Sequence, residues 1–115
     1  MHEYSVALAL IGRVEAAASA HEPGRVRRVH VSVGELSGVD AGLLLTAYDA
    51  CRGGTICAGA LLDVRNVATR WACRACGKDV PPIGPRRCPR CGDAARIVEG
   101  DELLLERIEM EVGDV

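Results

Sequence analysis

The stretch CRACGKDVPPIGPRRCPRCG confines this chain more tightly than any other part of it. Cys73 and Cys76 form one C-x-x-C pair, Cys88 and Cys91 form a second, and eleven residues separate the two. Glycine follows each pair, as Gly77 and Gly92. That spacing lets the chain curl so that both sulfurs of a pair point inward. The glycine admits the tight turn that leaves backbone N–H groups facing the sulfurs. Two such knuckles make a tetrahedral four-cysteine cage, for which zinc is the default metal and iron the main competitor. A cage closed by four protein ligands makes the metal structural rather than catalytic. Metal binding then supplies most of the folding energy of an insert with few apolar residues. The linker VPPIGPRR is stiffened by its prolines. A thioredoxin-like redox motif is a poorer account, because there are two pairs and neither sits at a strand-to-helix turn.

Cys51 and Cys57 fall outside the cage. Cys51 reads as a buried thiol on a helix and Cys57 as a semi-exposed one in a loop. The N-terminal VALALI and AAASA faintly resemble a signal peptide. The lead-in has no Lys or Arg, however, and Gly12, Arg13 and Glu15 break the apolar run. It reads as a helix of a cytoplasmic protein. No run approaches the roughly 18 apolar residues of a membrane span. In a reducing compartment, cysteines in this pattern point to metal rather than to disulfides.

Around the cysteine module the periodicities alternate between helix and strand. Tyr4, Leu8, Ile11, Val14 and Ala18 recur at helical gaps and predict one apolar helix face, ended by HEPG at 21–24. In VRRVHVSVG, Val29, Val31 and Val33 alternate with polar residues, as in a half-buried strand. Asp40 is placed to cap a second helix, with Leu44, Ala47, Tyr48 and Cys51 on one side. RGGTICAGA is a glycine-rich loop. ALLDVRNV predicts a second strand, with Leu62 and Val64 inward. The last strand, DELLLERIEMEV, shifts its apolar phase from Leu103 and Leu105 to Ile108, Met110 and Val112. That shift predicts a bulge near Glu106–Arg107.

The expected fold is α+β: a small three-stranded sheet with two helices on one face, plus an inserted four-cysteine zinc-ribbon module. With no Phe, one Trp and two Tyr, the core must be aliphatic. The expected division is a discontinuous body of residues 1–70 and 97–115 and a zinc-binding domain of residues 71–96. Charge follows that division. From Arg70 to Arg96, seven basic residues against Asp79 and Asp93 leave +5, so the remainder of a chain of net charge −2 carries −7. The ribbon is suited to an acidic partner. The acidic remainder and the near absence of stacking aromatics, Trp71 excepted, weigh against nucleic acid. A zinc-ribbon nucleic-acid binder and a zinc-dependent scaffold remain the alternatives. No nucleophile–base pair or phosphate loop is present, so no enzyme is expected.

His21 at a helix end and His30 on a strand's polar face need no functional account. The chain's first residues, MHEYS, admit two readings. His2 and Glu3 are either a solvated lead-in or part of a ligand set. A bulky second residue generally blocks removal of the initiator Met, so the Met1 amine stays beside His2. An amine, an imidazole nitrogen and deprotonated backbone amides together favour a square-planar site suited to Ni(II) or Cu(II).

MHEYS, then VHVSVGELSGVD, then the two C-x-x-C-G knuckles and the closing EL…IE strand resemble the HypA/HybF family over nearly the full length. These are nickel metallochaperones of [NiFe] hydrogenase maturation. The resemblance implies that His2 binds nickel, with Met1 and Glu3 accessory. It implies zinc on Cys73, Cys76, Cys88 and Cys91. It also implies two partners, a HypB-type GTPase and the hydrogenase large-subunit precursor, and a chain that is a monomer or weak homodimer.

Overall fold

The computed structural model describes residues 2–21 and 24–112. Helix α1 (His2–Ala18) runs into a 3-10 turn (Ser19–His21), then strand β1 (Gly24–Gly34), helix α2 (Ala41–Cys51) and strand β2 (Leu61–Val67). The cysteine region contributes β3 (Arg70–Cys73), β4 (Asp79–Val80) and β5 (Ala95–Glu99), and β6 (Leu103–Val112) closes the chain's first sheet.

That sheet has the order β2-β1-β6. β1 is parallel to β2, with α2 as the crossover, and antiparallel to β6. The register stacks apolar residues across all three strands. Val29 pairs with Leu62 and Ile108, and Val31 pairs with Val64 and Leu105. Both helices cover this face, with Ala7, Leu10, Val14 and Leu44 in one cluster with Val29, Val31 and Val33. The expected α+β architecture is therefore the observed one.

The buried face of α1 is rotated from the expected one. Ala7, Leu10, Ile11, Val14 and Ala18 are buried, whereas Tyr4 and Leu8 are 52% and 51% exposed. Ile11, Val14 and Ala18 belong to both candidate faces, and small Ala7 allows a closer approach to the core than the larger pair. Helical spacing alone does not choose between such overlapping faces. On α2 the expectation holds. Asp40 Oδ1 accepts from the Leu43 N–H at 2.9 Å, and Leu44, Ala47 and Tyr48 are buried.

The two outer cysteines exchange the places expected of them. Cys57 is buried and Cys51 only partly so. The cause lies in how the loop after α2 folds back. The buried Tyr48 hydroxyl donates to the Ala60 carbonyl at 2.8 Å, and the Ala60 N–H bonds to the Cys57 carbonyl at 3.0 Å. These bonds draw residue 57 beneath the loop, and burial pushes its thiol pKa up.

The predicted bulge is present. His30 faces Arg107 while Val31 faces Leu105, which leaves Glu106 as the extra residue. Leu105 and Ile108 can then both meet the core. A second register shift, between Val26 and Arg28, lets Val26 and Val29 both point inward. Of the last strand's expected inward residues, the Val112 side chain lies outside the described residues.

The sheet's other face carries charge. Arg28 reaches both Asp63 oxygens at 3.0 Å. His30 lies between Asp63 and Glu109, and Arg65 pairs with Glu106 at 2.8 Å. Solvent exposure keeps each pair's contribution small.

A neck joins this body to the cysteine region. The Gly34 N–H donates to the Glu102 carbonyl at 2.9 Å, and the Leu36 N–H to the Gly100 carbonyl at 2.8 Å. A Cβ on Gly34 would sit 2.4 Å from the Gly100 backbone. Gly100 itself has φ +92, and its Cβ would lie 2.6 Å from the Ala68 carbonyl oxygen. Two glycines thus let three chain passages, residues 34–36, 68–69 and 100–102, meet in direct backbone contact. Glu35 adds a bond across the same crossing, accepting from the Thr69 N–H at 3.0 Å.

Candidate metal centre

Beyond the neck, β3, β4 and β5 form a second sheet of order β4-β3-β5. Its core is small: Cys73, Val80 and Cys88, flanked by Trp71 and Ala95. Each C-x-x-C-G stretch folds as a knuckle. The Gly77 N–H returns to the Cys73 carbonyl at 3.0 Å, and the Gly92 N–H to the Cys88 carbonyl at 2.9 Å. Gly77 and Gly92 have φ of 75° and 73°, a left-handed conformation that closes the tight turn expected at each glycine.

These turns aim N–H groups at sulfur. The Ala75 and Cys76 N–H groups donate to Cys73 Sγ at 3.3 and 3.4 Å. The four Sγ atoms all lie within 4.8 Å of one another. Cys73 Sγ is 3.3 Å from Cys91 Sγ, and Cys76 Sγ is 3.7 Å from Cys88 Sγ. A tetrahedron with metal–sulfur bonds of about 2.3 Å has edges of about 3.8 Å. The four cysteines therefore fit a zinc-sized ion.

The electrostatics of the cluster point the same way. Backbone donors, the Cys76 N–H first, lower the Cys73 thiol pKa to about 6. The Cys91 and Arg90 N–H groups lower that of Cys88. Cys91 goes to about 12: the Asp93 N–H favours its thiolate, but the adjoining Cys73, burial and Cys88 outweigh that donor. Four sulfurs this close cannot all be anions unless a cation lies among them. A divalent metal makes all four thiolates compatible.

The other expected site lies at the start of α1, and Met1 is outside the described residues. His2 is exposed and begins the helix. Glu3 is buried, and its Oε2 accepts from the Asp40 N–H at 2.9 Å. That bond is the main cause holding its carboxyl below the usual range. Glu3 thus fastens the first turn of α1 to the N-cap of α2. The sequence marks Asp40 as a cap, and the family resemblance implies an accessory role for Glu3, but neither signals the bond between them. Residues 37 positions apart give no spacing signal.

A family model described as hydrogenase/urease nickel incorporation, metallochaperone, hypA matches residues 1–110. The chain belongs to the HypA family. Hydrogenase maturation factor HypA of Chlorobium limicola is 34% identical over 116 residues, covering 99% of this chain and 100% of that protein. The HypA of a Roseiflexus species is 40% identical over 114 residues, covering 96% of this chain and 93% of that one. The solution structure of the Ni metallochaperone HypA from Helicobacter pylori superposes with a TM-score of 0.73 at 29% identity, covering 96% and 98% of the two chains. A second HypA solution structure gives 0.79 at 30% identity, covering 96% of this chain and 97% of that one. The HypA family is one of metallochaperones for nickel incorporation, not of enzymes. Among the described residues, no helix is long and apolar enough to cross a membrane.

Proposed function

We propose that this chain carries Ni(II) at its N-terminus and hands it to a hydrogenase large-subunit precursor, with a HypB-type GTPase as a second partner. His2 is the principal ligand through its imidazole, with the Met1 amine and Glu3 accessory. Cys73, Cys76, Cys88 and Cys91 hold a structural zinc ion, which when bound fixes the knuckles of a ribbon spanning residues 71–96. Residues 1–70 and 97–115 are the nickel-binding body. The protein works in the cytoplasm as a monomer or weak homodimer.

One observation carries this reading beyond family membership. At the start of α1, buried Glu3 is bonded to Asp40 while neighbouring His2 is exposed. The first turn is anchored, yet its imidazole is open to a metal and to a recipient. The anchoring also limits what Glu3 does. With Oε2 committed to Asp40, its chief service is to position the terminus, and any contact with nickel is secondary. Few contacts fix an exposed imidazole, so a docking protein can remove the metal without unfolding the body. Nickel binding to an amine, an imidazole and amides displaces protons, so affinity falls as pH falls.

The test is a nickel titration of the zinc-loaded protein beside His2→Ala and a variant with one extra N-terminal residue. About one nickel per chain for the native protein, lost in both variants, is the expected result. Equal binding by all three would place nickel elsewhere and end the terminal-site reading.

A further inference from the structure

The loop between the two knuckles is built as a projection. It reads Pro-Pro-Ile-Gly-Pro-Arg-Arg over residues 81–87. Ile83 is 88% exposed, against 55% for Leu43, the next most exposed large hydrophobic among the described residues. Prolines restrict the loop, and Gly84 turns it at φ +98. Arg86 then ties it down. Its guanidinium donates to the Pro82 and Gly84 carbonyls at 2.6 and 3.2 Å and lies 4.8 Å from the Trp71 ring centroid. At the loop's other end, buried Val80 pairs with Trp71. Both ends therefore rest on one tryptophan. Holding an aliphatic side chain out in water gains nothing inside the fold. A side chain so constrained loses little entropy when it docks.

The ribbon's charge is also unspent. Arg70 is paired with Asp79 and Glu99, and Arg86 serves the loop. Arg74, Lys78, Arg87, Arg90 and Arg96 are exposed. Among the described residues none of them has an ion-pair partner. The Arg87 guanidinium donates to the Gly92 carbonyl at 3.1 Å, which orients it and leaves its charge uncompensated.

We infer that the Ile83 loop and these cations form a docking surface for a folded protein partner that offers an apolar pocket rimmed by carboxylates. Ile83 is the anchor, and the arginines and lysine supply steering and orientation. This surface is poorly made for nucleic acid. Single-strand binders present open aromatic faces for base stacking. Trp71 is the ribbon's sole aromatic residue, and Arg86 covers its ring. The inference rests on the chaperone reading, since a metal carrier must meet the protein it serves.

The experiment uses the full-length zinc-loaded chain, purified HypB-type GTPase, purified large-subunit precursor and poly-U RNA. Affinities are measured by calorimetry at low and high salt for the native chain, for Ile83→Ser and for Lys78→Glu/Arg90→Glu. Zinc content and circular dichroism check that each variant is folded. Affinity for one of the two proteins is expected to fall about tenfold or more in each variant. For the native chain it should weaken with salt. The inference is overturned if both proteins bind the variants as they bind the native chain, or if neither binds the native chain. It is equally overturned if poly-U binds through the cations with no regard to Ile83. Nickel stoichiometry on the same samples separates the two claims. Normal nickel binding with unchanged partner affinity removes the docking surface alone, whereas absent nickel binding removes the chaperone reading.

Discussion

The body buries Leu44, Val14, Val29 and Val31 to 0% exposure, while the ribbon buries little beyond Ala72, Cys73, Val80 and Cys88. Apolar area removed from water holds the first region together. The second has too little of it to offset the entropy of ordering its chain, and a metal held by the four cysteines would make up the difference. The two regions also differ in what they leave outside. The body's open sheet face is laced with ion pairs and a histidine–carboxylate contact between β1, β2 and β6. The ribbon leaves cations unmatched and an isoleucine bare. A region stabilised by a point ligand keeps its surface residues free for recognition, because few of them are needed for folding.

Removing the metal is the largest test of this contrast. Structural zinc in small modules contributes about 10–16 kcal/mol of apparent folding free energy. A strong chelator is therefore expected to disorder residues 70–99 while the helices persist. Amide chemical-shift dispersion for the two regions separates the outcomes, and collapse of both together would show that the ribbon's metal also holds the body.

The converse is Leu44→Ala. Loss of a fully buried leucine costs about 2–5 kcal/mol. Thermal unfolding of the helices should fall accordingly, with zinc stoichiometry at room temperature unchanged. A variant that sheds zinc at once would mean that the two cores share stability through the neck.

Acid gives the smallest and most graded comparison. Hydrogen bonding to Arg65 holds the Glu106 carboxyl below its usual 4.5, and His30 does the same for Glu109. A depressed carboxylate contributes stability above its unfolded value and loses it as pH falls through the folded one. The body should therefore weaken only below about pH 4.5, and modestly, because these groups are solvent-exposed. The ribbon needs four thiolates, and proton competition for them begins at higher pH. Metal release, followed with a chromogenic chelator, should precede loss of helical circular dichroism as pH is lowered. The reverse order would contradict the assignment of the ribbon's stability to the metal.

Much of this contrast is legible in the residues. The cage follows from two spacings and two glycines, because a knuckle is a local structure whose partners lie within a few residues. The inward phase of β1 and the phase change of β6 are equally local. What escaped reading depends on distant residues. The face of α1 is decided by how closely Ala7 approaches the core, and the depth of Cys57 by where Tyr48 finds an acceptor. The bond from Asp40 to Glu3 and the backbone crossing of Gly34 with Gly100 leave no periodic trace. The proposed site at His2 rests on its position behind Met1 and on family resemblance, and the anchoring of neighbouring Glu3 by Asp40 emerges only from the fold.

The pairing of β1 with β6 has a consequence for the order of events during synthesis. β1 spans residues 24–34 and its antiparallel partner spans 103–112, with every ribbon cysteine between them. All four cysteines leave the ribosome before β6 begins to emerge. The knuckles have only short loops to close, so they are able to take up metal while one edge of β1 is still unpaired. An early-formed ribbon brings residue 99 back beside residue 70, and so shortens the effective separation that β1 and β6 must close. Refolding with and without zinc would register this directly. Closure of the body's sheet should be faster when the metal is present from the start.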